Sequence, residues 1–243
     1  MPRDIFILGC GRSGTSLVAG LFRSAGYFQG SKFYRSRPSN PLGFFEDVET
    51  NNINEVLLEP LTPEATSHGH RWLARIPTDS TITATPDTGR RIRDVLENRP
   101  FCLKDPRFCY TLHLWRQHAP LTRMICVFRN PRIVVASIMS EIASAPYLRN
   151  LRFTTVDAFA VWRQMYLHVL ERHAVTGDWL FIEYGDLFNT AALERITEFS
   201  GAQIDRTFPD RALDRSSPIS VDDMMNNKIY EKLISYSKAT LWR

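Results

Sequence analysis

The chain has 243 residues, of which 44% are hydrophobic and 23% charged, with a formal net charge of +4. That balance excludes a disordered or collagen-like chain and fits one α/β domain over residues 1–243, with enough material for a single core. The mild basic excess suits an anionic ligand, while the lack of a dense Lys/Arg block argues against a nucleic-acid partner.

Met1-Pro2-Arg3-Asp4 leads almost directly into the apolar run Ile5-Phe6-Ile7-Leu8. We therefore expect no signal peptide, no membrane anchor and a cytoplasmic protein. Short apolar runs at residues 5–8, 101–104, 124–128 and 179–182 predict strands, each followed by a turn signal and then a helical pattern. Continuous apolar strands belong to a parallel sheet covered on both faces, so the expected class is α/β, a three-layer α/β/α architecture around a central parallel sheet. Covering helices are predicted over residues 16–25, 108–118, 131–141, 156–174 and 189–200, with another over 48–58 and a last one near 221–236. Pro131 fits the first turn of its helix, where a missing N–H does no harm. Residues 27–45 and 61–87 break the rhythm with Ser, Thr, Pro and Gly, and are read as long surface connections of the kind that often serve as lids. Cys10, Cys102, Cys109 and Cys126 sit in apolar surroundings without a Cys-x-x-Cys pair, which predicts buried reduced thiols and no metal ligation.

The run Gly9-Cys10-Gly11-Arg12-Ser13-Gly14-Thr15-Ser16 joins the first strand to the first helix. Glycines let the backbone curl with its N–H groups inward, and a helix start adds partial positive charge. The segment predicts a cradle for a phosphate-like anion. Its spacing nearly matches the Walker pattern, yet the lysine after the second glycine is missing and Arg12 stands inside the loop instead. An ordinary ATPase does not fit. A second anion site follows the third strand, where Arg129-Asn130-Pro131-Arg132 ends the run and Ser137 follows. An arginine at a strand's carboxyl end sits where parallel α/β sheets bind ligands, and guanidinium plus hydroxyl can recognise one phosphate.

Together these residues resemble the sulfotransferases that use 3′-phosphoadenosine 5′-phosphosulfate (PAPS). Gly11-Arg12-Ser13-Gly14-Thr15-Ser16 is similar to the first signature of that family, and Arg129 to Ser137 to the second. Phe181-Ile182-Glu183-Tyr184-Gly185-Asp186-Leu187 is a softer likeness to the family's Tyr-Glu-Asp-Leu stretch, with Gly185 in place of the usual glutamate. The resemblance covers the first strand to about Ser200. It implies a P-loop NTPase-like fold, PAPS as cofactor with 3′-phosphoadenosine 5′-phosphate (PAP) as product, and no metal. It also implies a first loop that holds the phosphosulfate and a second, Arg129 with Ser137, that holds the 3′-phosphate. Arg12 is then the candidate partner of the sulfonate, with the amides of Ser13 to Ser16 and the hydroxyls of Thr15 and Ser16 completing the cradle.

Sulfuryl transfer needs a base for the acceptor proton. Glu46, which closes the first long connection, is the first candidate; Asp105 in Leu103-Lys104-Asp105-Pro106-Arg107 is the competitor. An N-terminal carboxylate that complements a helix dipole is the plain alternative for Glu46. Lys104 is a candidate contact for sulfonate or acceptor, and Arg107 either orients Asp105 or forms an internal pair with it. No histidine stands where the small-molecule branch of the family carries its base. His113, His118, His168 and His173 fall on covering helices, while His68 and His70 are loop-borne. Trp115, Trp162 and Trp179 are expected in the core, and Tyr34, Phe44, Phe45 and Trp72 near the connections as possible pocket walls. An ATP-dependent kinase and a non-catalytic nucleotide-binding module are the rival readings. The expected partner is a small-molecule or carbohydrate acceptor, with a homodimer left open.

Overall fold

The computed structural model describes residues 2–37, 40–62, 69–213 and 217–242. His68 lies outside them. Four parallel strands, β1 (Ile5–Leu8), β2 (Cys102–Lys104), β3 (Arg123–Phe128) and β4 (Trp179–Glu183), form one sheet in the order β2-β1-β3-β4. All four expected strands are present. β2 starts one residue late because Phe101 is held instead in an isolated bridge to Phe28.

Alternation along the strands sorts the core into two layers. Ile5, Ile7, Ile125, Val127, Leu180 and Ile182 share a cluster with Val18 and Leu21 of α1 (Thr15–Leu21) and with Ile196 and Phe199 of α7 (Thr190–Ser200). Phe6, Leu8, Met124, Cys126 and Phe181 belong to the other, larger cluster. There they meet α2 (Val48–Leu58), α3 (Pro86–Leu96), α4 (Phe108–Arg116), α5 (Pro131–Ser144), α6 (Thr155–His168) and α8 (Met224–Ser237). This is the expected helix–sheet–helix arrangement, since a strand buried on both faces must offer apolar side chains in both directions. Trp115, Trp162 and Trp179 are all in the core.

Local chemistry explains where the helices begin. The Asp47 carboxylate accepts from the Thr50 N–H at 2.9 Å to start α2, Asn130 accepts from the Arg132 N–H at 3.0 Å to start α5, and Thr154 with Asp157 forms a reciprocal capping box on α6. α1 is shorter than expected. The Gln29 amide donates to the Ala19 carbonyl at 2.7 Å, and three-residue turns such as Phe22 N–H to Ala19 carbonyl tighten the chain after Leu21.

Two expectations fail. The helix α3 was not foreseen, although Thr85 caps it through the Thr88 N–H and Pro86 occupies its first turn. The second connection is only partly a surface segment: among its described residues Arg71, Trp72, Leu73, Ile76 and Ile82 are buried. Thr and Pro in its sequence mark irregular backbone, and irregular backbone can still pack when its polar groups find partners. Among the described residues no helix is long and apolar enough to cross a membrane.

The topology fixes the site. From β1 the chain crosses to β2 on one side, and from β3 to β4 on the other, so β1 and β3 flank the point where connections diverge. Ligands of open parallel sheets bind outside the carboxyl ends of strands at such a point.

Candidate active site

The glycine-rich loop leaves β1 at this point and presses against β3. A Cβ on Gly9, at φ +147°, would lie 2.0 Å from the Val127 carbonyl oxygen, and one on Gly14, at φ +95°, would lie 2.3 Å from the Tyr184 ring. Only glycine fits either place. The Tyr166 hydroxyl locks the loop from beneath: it donates to the Val127 carbonyl at 2.8 Å, accepts from the Cys10 N–H at 3.2 Å and meets the Ser13 hydroxyl at 3.0 Å. Ser13 is therefore turned inward and fully buried, and its N–H is spent on the Cys10 carbonyl at 3.0 Å. It does not line the cavity. Gly11, Arg12, Gly14, Thr15 and Ser16 do. Arg12 itself adopts φ 72°, a left-handed conformation costing a non-glycine residue about 1–3 kcal/mol, which tends to persist at functional sites. Burial pushes the Cys10 thiol well above its ordinary value, leaving it a packed spacer.

The second expected site converges on the first. Arg12 Nε donates to Ser137 Oγ at 3.0 Å, across 125 positions of sequence. Arg129 lies 4.1 Å over the Tyr184 ring, and Arg129, Ser137 and the glycine-rich loop line the same cavity. The backbone carbonyl of Arg129 accepts from the Trp162 indole at 3.2 Å, which fixes the turn after β3.

Glu46 and Lys104, drawn from separate elements, meet directly. Lys104 Nζ donates to Glu46 Oε1 at 2.5 Å, and the Asn51 amide donates to Glu46 Oε2 at 3.2 Å. The capping role belongs to the neighbouring Asp47, whose carboxylate serves the Ser31, Lys32 and Thr50 N–H groups. Glu46 is left to face the cavity. Asp105 is not: it is fully buried and absent from the cavity wall. Its Oδ1 accepts from the Arg107 N–H at 2.7 Å and from Arg107 Nη1 at 3.2 Å. Burial pushes the Asp105 carboxyl up, against the pull of Arg107. The internal Asp–Arg pair is thus what forms.

Arg107 continues to Glu55, which also takes Arg71 Nη1 at 2.8 Å and the Gly69 N–H at 2.9 Å. Burial alone would raise the Glu55 carboxyl; Arg107, the Gly69 N–H and Arg71 outweigh it and hold it below the usual range.

The cavity occupies ≈ 770 Å³ and, among the described residues, is bounded by five basic side chains (Arg12, Arg37, Lys104, Arg107, Arg129) against three acidic ones (Glu46, Glu141, Asp210). That size and that excess of positive charge fit a nucleotide carrying several negative charges. Tyr34, Phe44 and Trp72 line it as expected, joined by Tyr147 and Arg37. Phe45 does not; it packs edge-on against Phe208. None of the described histidines lines the cavity; ring nitrogens of His70, His113, His168 and His173 hold backbone carbonyls. Sequence reasoning missed Glu141, although Ser137, Ser140, Glu141 and Ser144 recur at helical spacing among apolar neighbours and all line the cavity.

The model of the sulfotransferase family matches residues 2–206. The sulfotransferase domain from the curacin biosynthetic pathway shares the fold with a TM-score of 0.56 at 15% identity, over 97% of this chain and 98% of that one. The sulfotransferase domain of the Synechococcus PCC 7002 olefin synthase gives 0.48 at 18% identity, over 98% of this chain and 90% of that one. A sulfotransferase from Mycobacterium tuberculosis H37Rv gives 0.49 at 14% identity, over 99% and 74%. No curated protein matches the sequence. A family model that covers most of the chain, on a parallel sheet whose glycine-rich loop opens onto a basic cavity, makes this chain a member of the sulfotransferase family.

Proposed function

We propose that this chain moves a sulfuryl group from PAPS to an acceptor hydroxyl or amine by in-line displacement, with Glu46 as the general base. The observation that carries the reading is the contact of Lys104 with Glu46 at 2.5 Å on the same cavity as Arg12, Arg129 and Ser137. When bound, the donor supplies a sulfuryl group attached to a phosphate that leaves with its electrons. Arg12 and backbone N–H groups of the glycine-rich loop grip the sulfonate end, while Arg129 and Ser137 take the 3′-phosphate. Lys104 turns its ammonium toward the leaving oxygen and so releases Glu46 Oε1, with Asn51 still holding Oε2. Glu46 then accepts the proton as the acceptor atom bonds to sulfur and the sulfur–phosphate oxygen bond breaks. Positioning and fixed charge do most of the work, as in phosphoryl transfer. Asp105 is the weaker candidate for the base, since it is sealed beneath Arg107.

Thermal-shift titration with 3′,5′-bisphosphoadenosine, AMP and ATP with magnesium tests the donor. Strong preference for the bisphosphate is expected; equal stabilisation by ATP with magnesium would return the kinase reading. Transfer of labelled sulfate should vanish in Glu46→Ala while bisphosphate binding survives. Loss of transfer in Asp105→Asn together with retention in Glu46→Ala would move the base.

A further inference from the structure

The basic side chains of the cavity wall differ in how they are engaged. Arg12 faces Glu141 at 3.8 Å, Lys104 holds Glu46 at 2.5 Å, and Arg107 is paired with Glu55 and Asp105. Arg129 stands over Tyr184 and, in the reading above, takes the 3′-phosphate. Arg37 is exposed, and among the described residues no carboxylate forms an ion pair with it. Its guanidinium lies instead near two rings, 4.4 Å from the centre of Tyr147 and 5.7 Å from that of Phe44. Burial chiefly, and then Glu141, pushes the Tyr147 phenol up, while Arg37 pulls it down as an adjoining cation does. The seat is tied on both sides. The Asn40 N–H donates to the Arg37 carbonyl at 2.8 Å. Tyr147 belongs to the short turn Pro146–Leu148 after α5, and its carbonyl holds a ring nitrogen of His70 at 2.7 Å. Stacking engages the face of a guanidinium and leaves its N–H edge, which a carboxylate can meet with two parallel bonds. Phe44, Trp72 and Tyr147 line the same cavity with aromatic surface for an apolar body.

We propose that Arg37 sets acceptor specificity by pairing with a carboxylate carried by the acceptor, on a part of the molecule away from the hydroxyl or amine that is sulfated. The proposal rests on the sulfuryl-transfer reading above. A bound donor brings several negative charges into the cavity and engages Arg12 and Arg129, so an anionic acceptor needs a cation of its own. Arg37 and Glu46 belong to the same connection and line one cavity. One segment thus presents both the charge that holds the acceptor and the base that takes its proton. An exposed ion pair is worth little, and a desolvated hydrogen bond between charged groups is worth more. Beside two rings, with the acceptor excluding water, Arg37 should favour a carboxylate over its neutral match by about three- to tenfold.

The test is calorimetric binding to the full chain saturated with 3′,5′-bisphosphoadenosine. Matched probes differ in charge: 3-(4-hydroxyphenyl)propanoate against its amide, and 6-hydroxyhexanoate against its amide, so that a phenol and an alkanol head are both tried. In at least one pair the carboxylate should bind about three- to tenfold tighter than the amide. Arg37→Gln should cut that advantage to less than about twofold, and Arg37→Lys, which keeps the charge without the fork, should retain part of it. Parity of carboxylate and amide in both pairs, no measurable binding of either carboxylate, or an advantage that survives in Arg37→Gln overturns the proposal. Bisphosphate titration of each variant should match that of the unaltered chain. Weaker bisphosphate binding by Arg37→Gln at an unchanged thermal midpoint would assign Arg37 to the donor and overturn the proposal as well. Failure of the bisphosphate to bind the unaltered chain would instead strike the sulfuryl-transfer reading itself.

Discussion

The two sides of the cavity are built by different means. One side is strand-borne: the glycine-rich loop leaves β1, Arg129 directly follows β3, and both are held by backbone geometry, tight glycines and the Tyr166 hydroxyl. The other side is made of connections, with Tyr34, Arg37, Phe44 and Glu46 from the first and Trp72 from the second. Its geometry depends on side-chain bonds over long sequence separations, such as Lys104 to Glu46 and Glu55 to Arg71 and Arg107. A sheet positions groups almost automatically, whereas a connection does so only as well as its polar partners are satisfied.

The largest expected effect separates the sides by activity. Glu46→Gln should lower sulfate transfer by about 10²–10⁴, the usual worth of a general base, with bisphosphate affinity unchanged. Matched losses in both measurements would mean that the connection-borne side also shapes the donor site. Next comes stability. Glu55→Ala strands Arg71 and Arg107 without their buried partner, and should cost about 3–5 kcal/mol in urea unfolding. A loss below about 1 kcal/mol would show that the network does not hold the second connection.

Acid should loosen the same side. His168 grips the Ile76 and Pro77 carbonyls of the second connection, and His173 that of Cys109. Burial lowers both, His173 to about 3. The unfolded value is about 6.5, so their contribution is complete above that pH and is lost as pH falls toward the folded value. At about 1.4 kcal/mol per unit, His173 alone should remove about 2 kcal/mol between pH 7.5 and pH 5, read as a lower urea midpoint. A flat midpoint over that range would contradict it.

On the strand-borne side, Arg129→Ala should weaken 3′,5′-bisphosphoadenosine by about 1.5–3 kcal/mol and spare AMP, as measured by titration. Tyr166→Phe should give the smallest effect, about 1 kcal/mol of stability, since it removes the hydroxyl that spans Cys10, Ser13 and Val127. A loss in AMP affinity equal to that in bisphosphate affinity would remove the 3′-phosphate role from Arg129.

Much of the strand-borne side was legible. Short apolar runs and the glycine spacing announced β1, β3 and the loop between β1 and α1, because those signals are local. Arg129 and Ser137 stood out because a strand end and a helix turn place them by geometry alone. Glu46 was named as a candidate, but its contact with Lys104 spans 58 positions and no local pattern encodes it. Glu46 illustrates the limit: by sequence it could equally serve the start of α2, and only the structure gives that duty to Asp47, which accepts from the Thr50 N–H, and leaves Glu46 to Lys104 and Asn51. Trp72 was read as loop-borne; its burial against Gly11 follows from the Glu55 bonds that draw its connection inward.

From the residues alone came the class of fold, the anion-binding loop and a family resemblance, because helix and strand periodicity and glycine's freedom act over a few neighbours. Tertiary structure decided which carboxylate meets the cavity and which is sealed. It also decided that Glu141 lies buried beside Arg12, 3.8 Å from its guanidinium. Those outcomes depend on burial and on partners brought from distant segments, and desolvation has no value until the chain has folded.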